Sequence, residues 1–285
     1  MALHIKVNEK NVNEGIDIDY INHVVMYNPG HQNNVDTSIE NNPTVDEKTI
    51  PGVEVWSIFT RNRVDTRDGN PLVYAMKGEK NWKFRSEADR KAIDRQFKAI
   101  ADKFLESRKY DVTIIAPTSN DLNNYIVSVI TQKKPDIEYI PDALIKLSTG
   151  DIAAMVDDME STFFKVYRRN MKNALKKLFT YLDRMDELKN GVFTRHFIED
   201  SEMRDVLDKT LKCNPDTIAQ DAVKINDHDV LIVDDTISRG QTIKEIVDTI
   251  KACYNPKSIT VLTLFSRLQL CLHCTTGCLY KYALL

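Results

Sequence analysis

Residues 229–243, Asp-Val-Leu-Ile-Val-Asp-Asp-Thr-Ile-Ser-Arg-Gly-Gln-Thr-Ile, set the reading of the whole chain. The run Val230–Val233 is short, rich in β-branched residues and flanked by polar ones, as expected of a strand buried on both faces of a parallel sheet. Asp234 and Asp235 then fall at its carboxyl end. Ile243, Ile246, Val247 and Ile250 follow at the spacing of an amphipathic helix, so a tight loop joins strand to helix. Such a loop points backbone N–H groups and the positive end of a helix dipole at one spot. Ser238 and Thr242 add hydroxyls there. Gly240 lets an anion approach the backbone where a β-carbon would intrude, so replacing it by Val is expected to cost ligand affinity more than stability. The stretch reads as a phosphate seat with two carboxylates at its rim.

The other phosphate-loop patterns do not fit. No Gly-Lys-Ser/Thr follows the glycine, and no Gly-x-Gly-x-x-Gly accompanies the strand. The chain of 285 residues is long enough for a full core, as one elaborated domain or two, and its 42% hydrophobic and 28% charged residues are ordinary for a globular protein. A formal net charge of −3 gives no general attraction to nucleic acid or to an anionic membrane. No apolar run approaches the length of a membrane span and residues 1–8 lack a signal-peptide core, so a cytoplasmic protein is expected. Five cysteines, none before Cys213, do not make a disulfide framework.

Short β-type runs are expected at His4–Val7, Tyr20–Tyr27 and Val53–Thr60, with a loop over 28–52. Arg67-Asp68-Gly69-Asn70 reads as a hairpin turn leading into a strand at 72–76. Ser86 followed by Asp89 opens a helix whose buried face is Ile93, Phe97, Ile100 and Phe104. Val112–Ala116 is a second buried strand, followed by the polar loop Pro117-Thr118-Ser119-Asn120-Asp121 and an apolar helix over 122–130. Ile137–Ile140 and Ile259–Phe265 are further strands. Residues 151–189 keep helical spacing, as one helix or two, with Lys165, Arg169, Lys172 and Lys176 along one side and Asn190-Gly191 as the stop. That basic stripe reads as a solvated face, or as a cover for a bound anion. Cys271, Cys274 and Cys278 with His273 could begin a zinc site, but no fourth ligand closes it.

Residues 230–242 resemble the phosphoribosyl pyrophosphate (PRPP) motif of type I phosphoribosyltransferases: apolar strand, two acids, two mostly apolar residues, two small residues, glycine, any residue, Thr or Ser. Arg239 departs from it by standing where the family has a small residue, and Thr236 by filling a commonly apolar slot. The resemblance covers about residues 110–267, and the end of the core resembles ComF-like members, whose N-terminal zinc-binding cysteines are absent here. It implies an α/β fold with a mostly parallel sheet and helices on both faces. It also implies an N-terminal β-rich hood over 1–85, a core over 86–270 carrying a helical insertion at 151–190, and a tail at 271–285. Asp234 and Asp235 would hold the ribose hydroxyls as the catalytic pair. Thr236, Ser238, Arg239, Gly240, Gln241 and Thr242 would wrap the 5′-phosphate, and Thr118, Ser119 and Asn120 would take the pyrophosphate loop's place. Implied with these are Mg²⁺ carried mainly by PRPP, through protein ligands not identified, and a nitrogen acceptor such as a nucleobase. The acid at position 238 and the Lys at 241 expected of 6-oxopurine enzymes are replaced by Ser238 and Gln241.

Two alternatives stay open at this stage. One is a regulator on the same fold that senses PRPP or a nucleotide without turnover. The other is an interaction module working through the basic insertion. No membrane or nucleic-acid partner is expected, and a homodimer is an open option.

Overall fold

The computed structural model describes residues 14–63, 69–118, 121–155, 171–193, 198, 203, 207, 209–237, 240–266 and 269–270. The first elements among the described residues are β1 (Gly15–Asp19), β2 (Val24–Asn28), β3 (Val35–Asp36), β4 (Thr44–Asp46), β5 (Glu54–Arg63), α1 (Asn70–Lys77) and β6 (Lys83–Phe84). Then come α2 (Glu87–Glu106), β7 (Val112–Ile115), α3 (Leu122–Lys133), β8 (Glu138–Ile140), β9 (Leu144–Lys146), α4 (Met171–Lys189) and β10 (Leu211–Cys213). The last elements are α5 (Ile218–Ile225), β11 (Asp229–Thr236), α6 (Gln241–Cys253), β12 (Ser258–Phe265) and β13 (Gln269–Leu270).

The main sheet runs β13-β5-β12-β11-β7-β8, with β5, β12, β11, β7 and β8 parallel to one another. Alternation along β11 explains its unbroken apolar sequence. Leu231 and Val233 enter a core shared with α1, α2 and α3, while Val230 and Ile232 enter one shared with α6 on the other face. The α/β fold with helices on both faces is therefore as the sequence implies. Ser86 caps α2 by accepting from the Asp89 N–H, and the Ser86 hydroxyl donates back to the Asp89 carboxylate, with Asp in the place usual for Glu.

Three sequence expectations need correction. Residues 72–76 form a helix rather than a hairpin strand. Pro71 sits in the first turn of α1 and Gly78 ends it at φ +68, so the punctuation outweighs the β-rich composition of Leu72-Val73-Tyr74. The strand at Tyr20–Tyr27 begins only at Val24, since residues 20–23 form a turn in which the Asp19 carboxylate accepts the Ile21 and Asn22 N–H groups. β5, from the segment expected to be a hood, pairs with β12 over Glu54–Phe59 and so joins the main sheet. Cys213 and Cys253 are joined in a disulfide, which the cysteine count alone did not suggest.

The insertion has a core of its own, in which Ile152, Ala174, Leu178, Leu182, Met185 and Phe193 pack together. Beyond it, Glu245 of α6 accepts the Thr210 and Leu211 N–H groups, and the disulfide ties β10 to the end of α6. Residues 156–170, with Lys165 and Arg169, lie outside the described residues, as do His4–Val7 and the tail cysteines; Lys176 is exposed on α4. No described helix is long and apolar enough to cross a membrane.

The disulfide closes a 40-residue separation, so its loss should destabilise the oxidised protein by about 2–4 kcal/mol. Cys213→Ser should lower Tm and abolish the dependence of Tm on dithiothreitol. A wild-type Tm indifferent to reductant would show that the link contributes nothing.

Candidate functional site

β7 and β11 are neighbours whose connections leave in opposite directions, β7 through α3 to β8 and β11 through α6 to β12. Open α/β sheets bind ligands in the crevice that such divergence leaves at the carboxyl ends of the strands. Both helices at its rim begin without a side-chain cap, behind Asp121 in α3 and Gly240 in α6. The positive dipole ends of both helices thus face the crevice.

Asp234 and Asp235 are among the last three residues of β11. The expectation that both reach solvent holds for neither fully: Asp234 is only 7% exposed and the Asp235 side chain 13%. Burial, and then the charge of Asp235 beside it, push the Asp234 carboxyl up to about 7, against the Asp235 N–H, the Lys77 charge and the Asn123 side chain, which favour the ionised form. The Asp235 N–H donates to Asp234 Oδ1 at 2.9 Å. Asp235 falls on the strand face that α1 to α3 cover, and there Lys77 Nζ lies 2.7 Å from its Oδ2. Two buried polar atoms beside the pair, Asn123 Oδ1 and Thr236 Oγ1, have no hydrogen-bond partner among the described residues.

Three residues from the N-terminal block shape the site, and sequence reasoning missed all of them. Lys77, the last residue of α1, pairs with Asp235 as above. Arg61, on β5 and 5% exposed, donates through NH2 to the Ile237 carbonyl (2.8 Å), through Nε to the Ser266 carbonyl (2.7 Å) and through NH1 to Asn70 Oδ1 (2.6 Å). It thereby fixes the start of the 237–240 loop to the end of β12. Thr49 is placed by Asp46, whose carboxylate accepts from the Lys48 and Thr49 N–H groups and the Thr49 hydroxyl. Nothing in their local spacing marks these residues, because each acts across more than 150 positions of sequence. Asn123, in the first turn of α3, donates to the Ala116 carbonyl and was legible only as part of an apolar helix.

Of the other expected site residues, Gln241 and Thr242 are exposed in the first turn of α6, and Thr118 is half-buried after β7. Ser238, Arg239, Ser119 and Asn120 lie outside the described residues. Gly240 has φ +79, and a β-carbon there would overlap the Thr49 methyl. The close approach at this glycine is thus made by protein, so its replacement must cost stability.

Residues 189–273 match the phosphoribosyl transferase domain family, a stretch that takes in the Asp pair and the glycine loop. The matched stretch runs from the end of α4 past β12 and leaves β5, α1, β7 and α3 outside it. No curated protein and no solved structure matches the chain.

Two outcomes follow from this geometry. Gly240→Val should lower stability by about 2 kcal/mol or more, from left-handed backbone strain and the overlap with Thr49. Thr49→Ser, which removes the methyl, should recover part of that loss in a denaturation cycle; an unchanged loss would show that the methyl is not the obstacle.

The second concerns pH. The folded value of Asp234, about 7, lies above its ordinary 3.8, so the folded state holds the proton more tightly. Its contribution to stability is therefore full below about 4, falls as pH rises towards 7 and stays lost above. Asp234→Asn cannot ionise, so its Tm relative to wild type should be higher at pH 8 than at pH 5, by about 2 °C or more. Parallel Tm curves for the two proteins across this range would show an unshifted Asp234.

Proposed function

We propose that the protein binds PRPP together with Mg²⁺ and transfers its phosphoribosyl group to a nitrogen acceptor, such as a nucleobase, with release of pyrophosphate. The observation that carries this is the Asp234–Asp235 pair at the end of β11, beside two helix N-termini, at the point where the strand order diverges. The domain match supports phosphoribosyl transfer as a class of chemistry. The identity of the acceptor and the cytoplasmic setting belong to this proposal.

In this reading α6 takes the 5′-phosphate on its first-turn N–H groups and the Thr242 hydroxyl, with Gly240 at the turn. The carboxylates of Asp234 and Asp235 accept hydrogen bonds from the ribose hydroxyls and hold C1 in place. As the bond from C1 to pyrophosphate breaks, positive charge grows on the ribose ring. A carboxylate fixed against the ring in a site that excludes water stabilises that charge without having to reorient. Neither acid attacks; both position and polarise.

The residues present fit Mg²⁺ carried by the substrate. The described residues contain no cluster of three acidic, histidine or cysteine groups, and Mg²⁺ commonly keeps its waters and takes one or two carboxylates besides substrate phosphates. Asp234 and Asp235 would be those carboxylates. Bound there, the ion would neutralise charge on the departing pyrophosphate.

Titration calorimetry with PRPP and MgCl₂ should give saturable heat with wild type, and Asp235→Asn should weaken binding by about 10-fold or more, from the loss of charged hydrogen bonds. Pyrophosphate release with a panel of bases and amines then tests turnover. Absence of PRPP heat from folded protein would remove the reading, and binding without release on any acceptor would leave the PRPP-sensing alternative in its place.

A further inference from the structure

We propose that the Cys213–Cys253 disulfide is a site of thiol–disulfide exchange, at which an anionic low-molecular-weight thiol of the γ-glutamylcysteinyl peptide class docks in a lysine-lined cleft and forms a mixed disulfide with Cys253. This goes beyond the PRPP reading and does not depend on it.

Both cysteines line one cavity of about 430 Å³ that runs between α6 and β10, and Lys209, Lys212 and Lys244 line it with them. A disulfide that faces a cleft is open to attack, unlike one closed inside a core. Cys253 is half-buried whereas Cys213 is only 8% exposed, so Cys253 offers the sulfur that a thiolate can reach. The charge of the cleft selects the thiol. Lys209 has no acidic partner among the described residues, Lys244 lies a loose 3.7 Å from Asp248, and Lys212 lies 2.8 Å from Asp151. The cleft's other acid, Glu245, already accepts the Thr210 and Leu211 N–H groups and the Thr210 hydroxyl. Three ammonium groups beside the disulfide favour both an incoming thiolate and the carboxylates of the peptide that carries it.

The exchange balances without any further oxidant or reductant. The peptide thiol gives up its proton and its sulfur attacks Cys253 Sγ. The bond to Cys213 breaks, and its electron pair leaves on Cys213 Sγ, which takes up a proton. That new thiol has an acceptor in place, because Cys213 Sγ lies 3.5 Å from the Thr249 carbonyl oxygen. One disulfide has then replaced another. A second peptide thiol attacking the peptide sulfur of the adduct releases the peptide disulfide and leaves both protein cysteines reduced, two thiols having been oxidised for the two formed. The fold survives the opening, since Ile243, Ile246, Val247 and Ile250 of α6 stay packed in the core and Glu245 still holds residues 210–211.

The test takes the oxidised full chain and two probes that differ chiefly in charge, glutathione and its dimethyl ester. At low salt glutathione should open the link about 5-fold or more faster per thiolate than the ester, an advantage that should fall below about 2-fold in about 1 M NaCl. Acid quenching after a short pulse, alkylation of free thiols and peptide mapping should place the glutathionyl group on Cys253 and the alkyl group on Cys213. Lys209→Gln combined with Lys244→Gln should remove most of the advantage and leave the ester's rate within about 2-fold of wild type. Equal rates for the two probes in wild type overturn the proposal, as does an adduct on Cys213 in place of Cys253. It also fails if millimolar glutathione leaves the link intact, if no Cys213–Cys253 peptide forms in the oxidised protein, or if circular dichroism shows that opening the link unfolds the chain, which would make it a structural brace.

Discussion

Two carboxylic acids in adjacent positions at the end of a buried strand cannot both ionise cheaply, and much of this structure is arranged around that conflict. Asp234 is shut away from water with Asp235 next to it, which raises its affinity for a proton. Asp235 is instead matched by Lys77 at 2.7 Å. An ion pair this little exposed is weak support for stability, because desolvation offsets most of its attraction. Its physical effect is to hold an acceptor and a donor side by side at the end of β11.

The cations that serve the acids and the loop come from a part of the chain that the family resemblance assigns to an accessory hood. β5 joins the sheet beside β12, which brings Arg61 against the Ile237 and Ser266 carbonyls, and α1 follows at once to bring Lys77 to Asp235. Arg61 suits its task because a guanidinium has five donors in a fixed plane, enough to bind two carbonyls and an amide oxygen at once. On the far side of the motif, α6 is held at Glu245 and at Cys253, so the helix that would carry the phosphate is braced along its length.

The central motif was legible because everything it needs is local. A strand buried on both faces must be apolar, its end must turn, and a glycine followed by helical spacing marks the turn; β11, Gly240 and α6 appear where those rules put them. α1 was misread because Leu72-Val73-Tyr74 favours a strand in isolation, whereas Pro71 and Gly78 together fit only a helix of this length. The disulfide was invisible for a different reason. Cysteine counts say nothing about which residues β10 and α6 bring face to face. Arg61, Lys77, Thr49 and Asn123 could not be found from spacing, since each meets the motif only through the closed sheet.

This division has a consequence for how such a site can vary. The family match takes in the Asp pair, the glycine loop and the two strands that hold them, but none of the side chains that supply positive charge to the Asp pair or fix the loop's entry. The loop geometry is dictated by backbone, and backbone constraints tolerate few alternatives. A cation near Asp235 can instead be delivered from any element that reaches the crevice, because Coulomb attraction and a flexible lysine stem impose little on its origin. A motif with the acids and the glycine in place can therefore keep its chemistry while the basic residues around it are drawn from unrelated parts of the chain. α1 is such a source here: Gly78 fixes where the helix stops, and the stop fixes where Lys77 points.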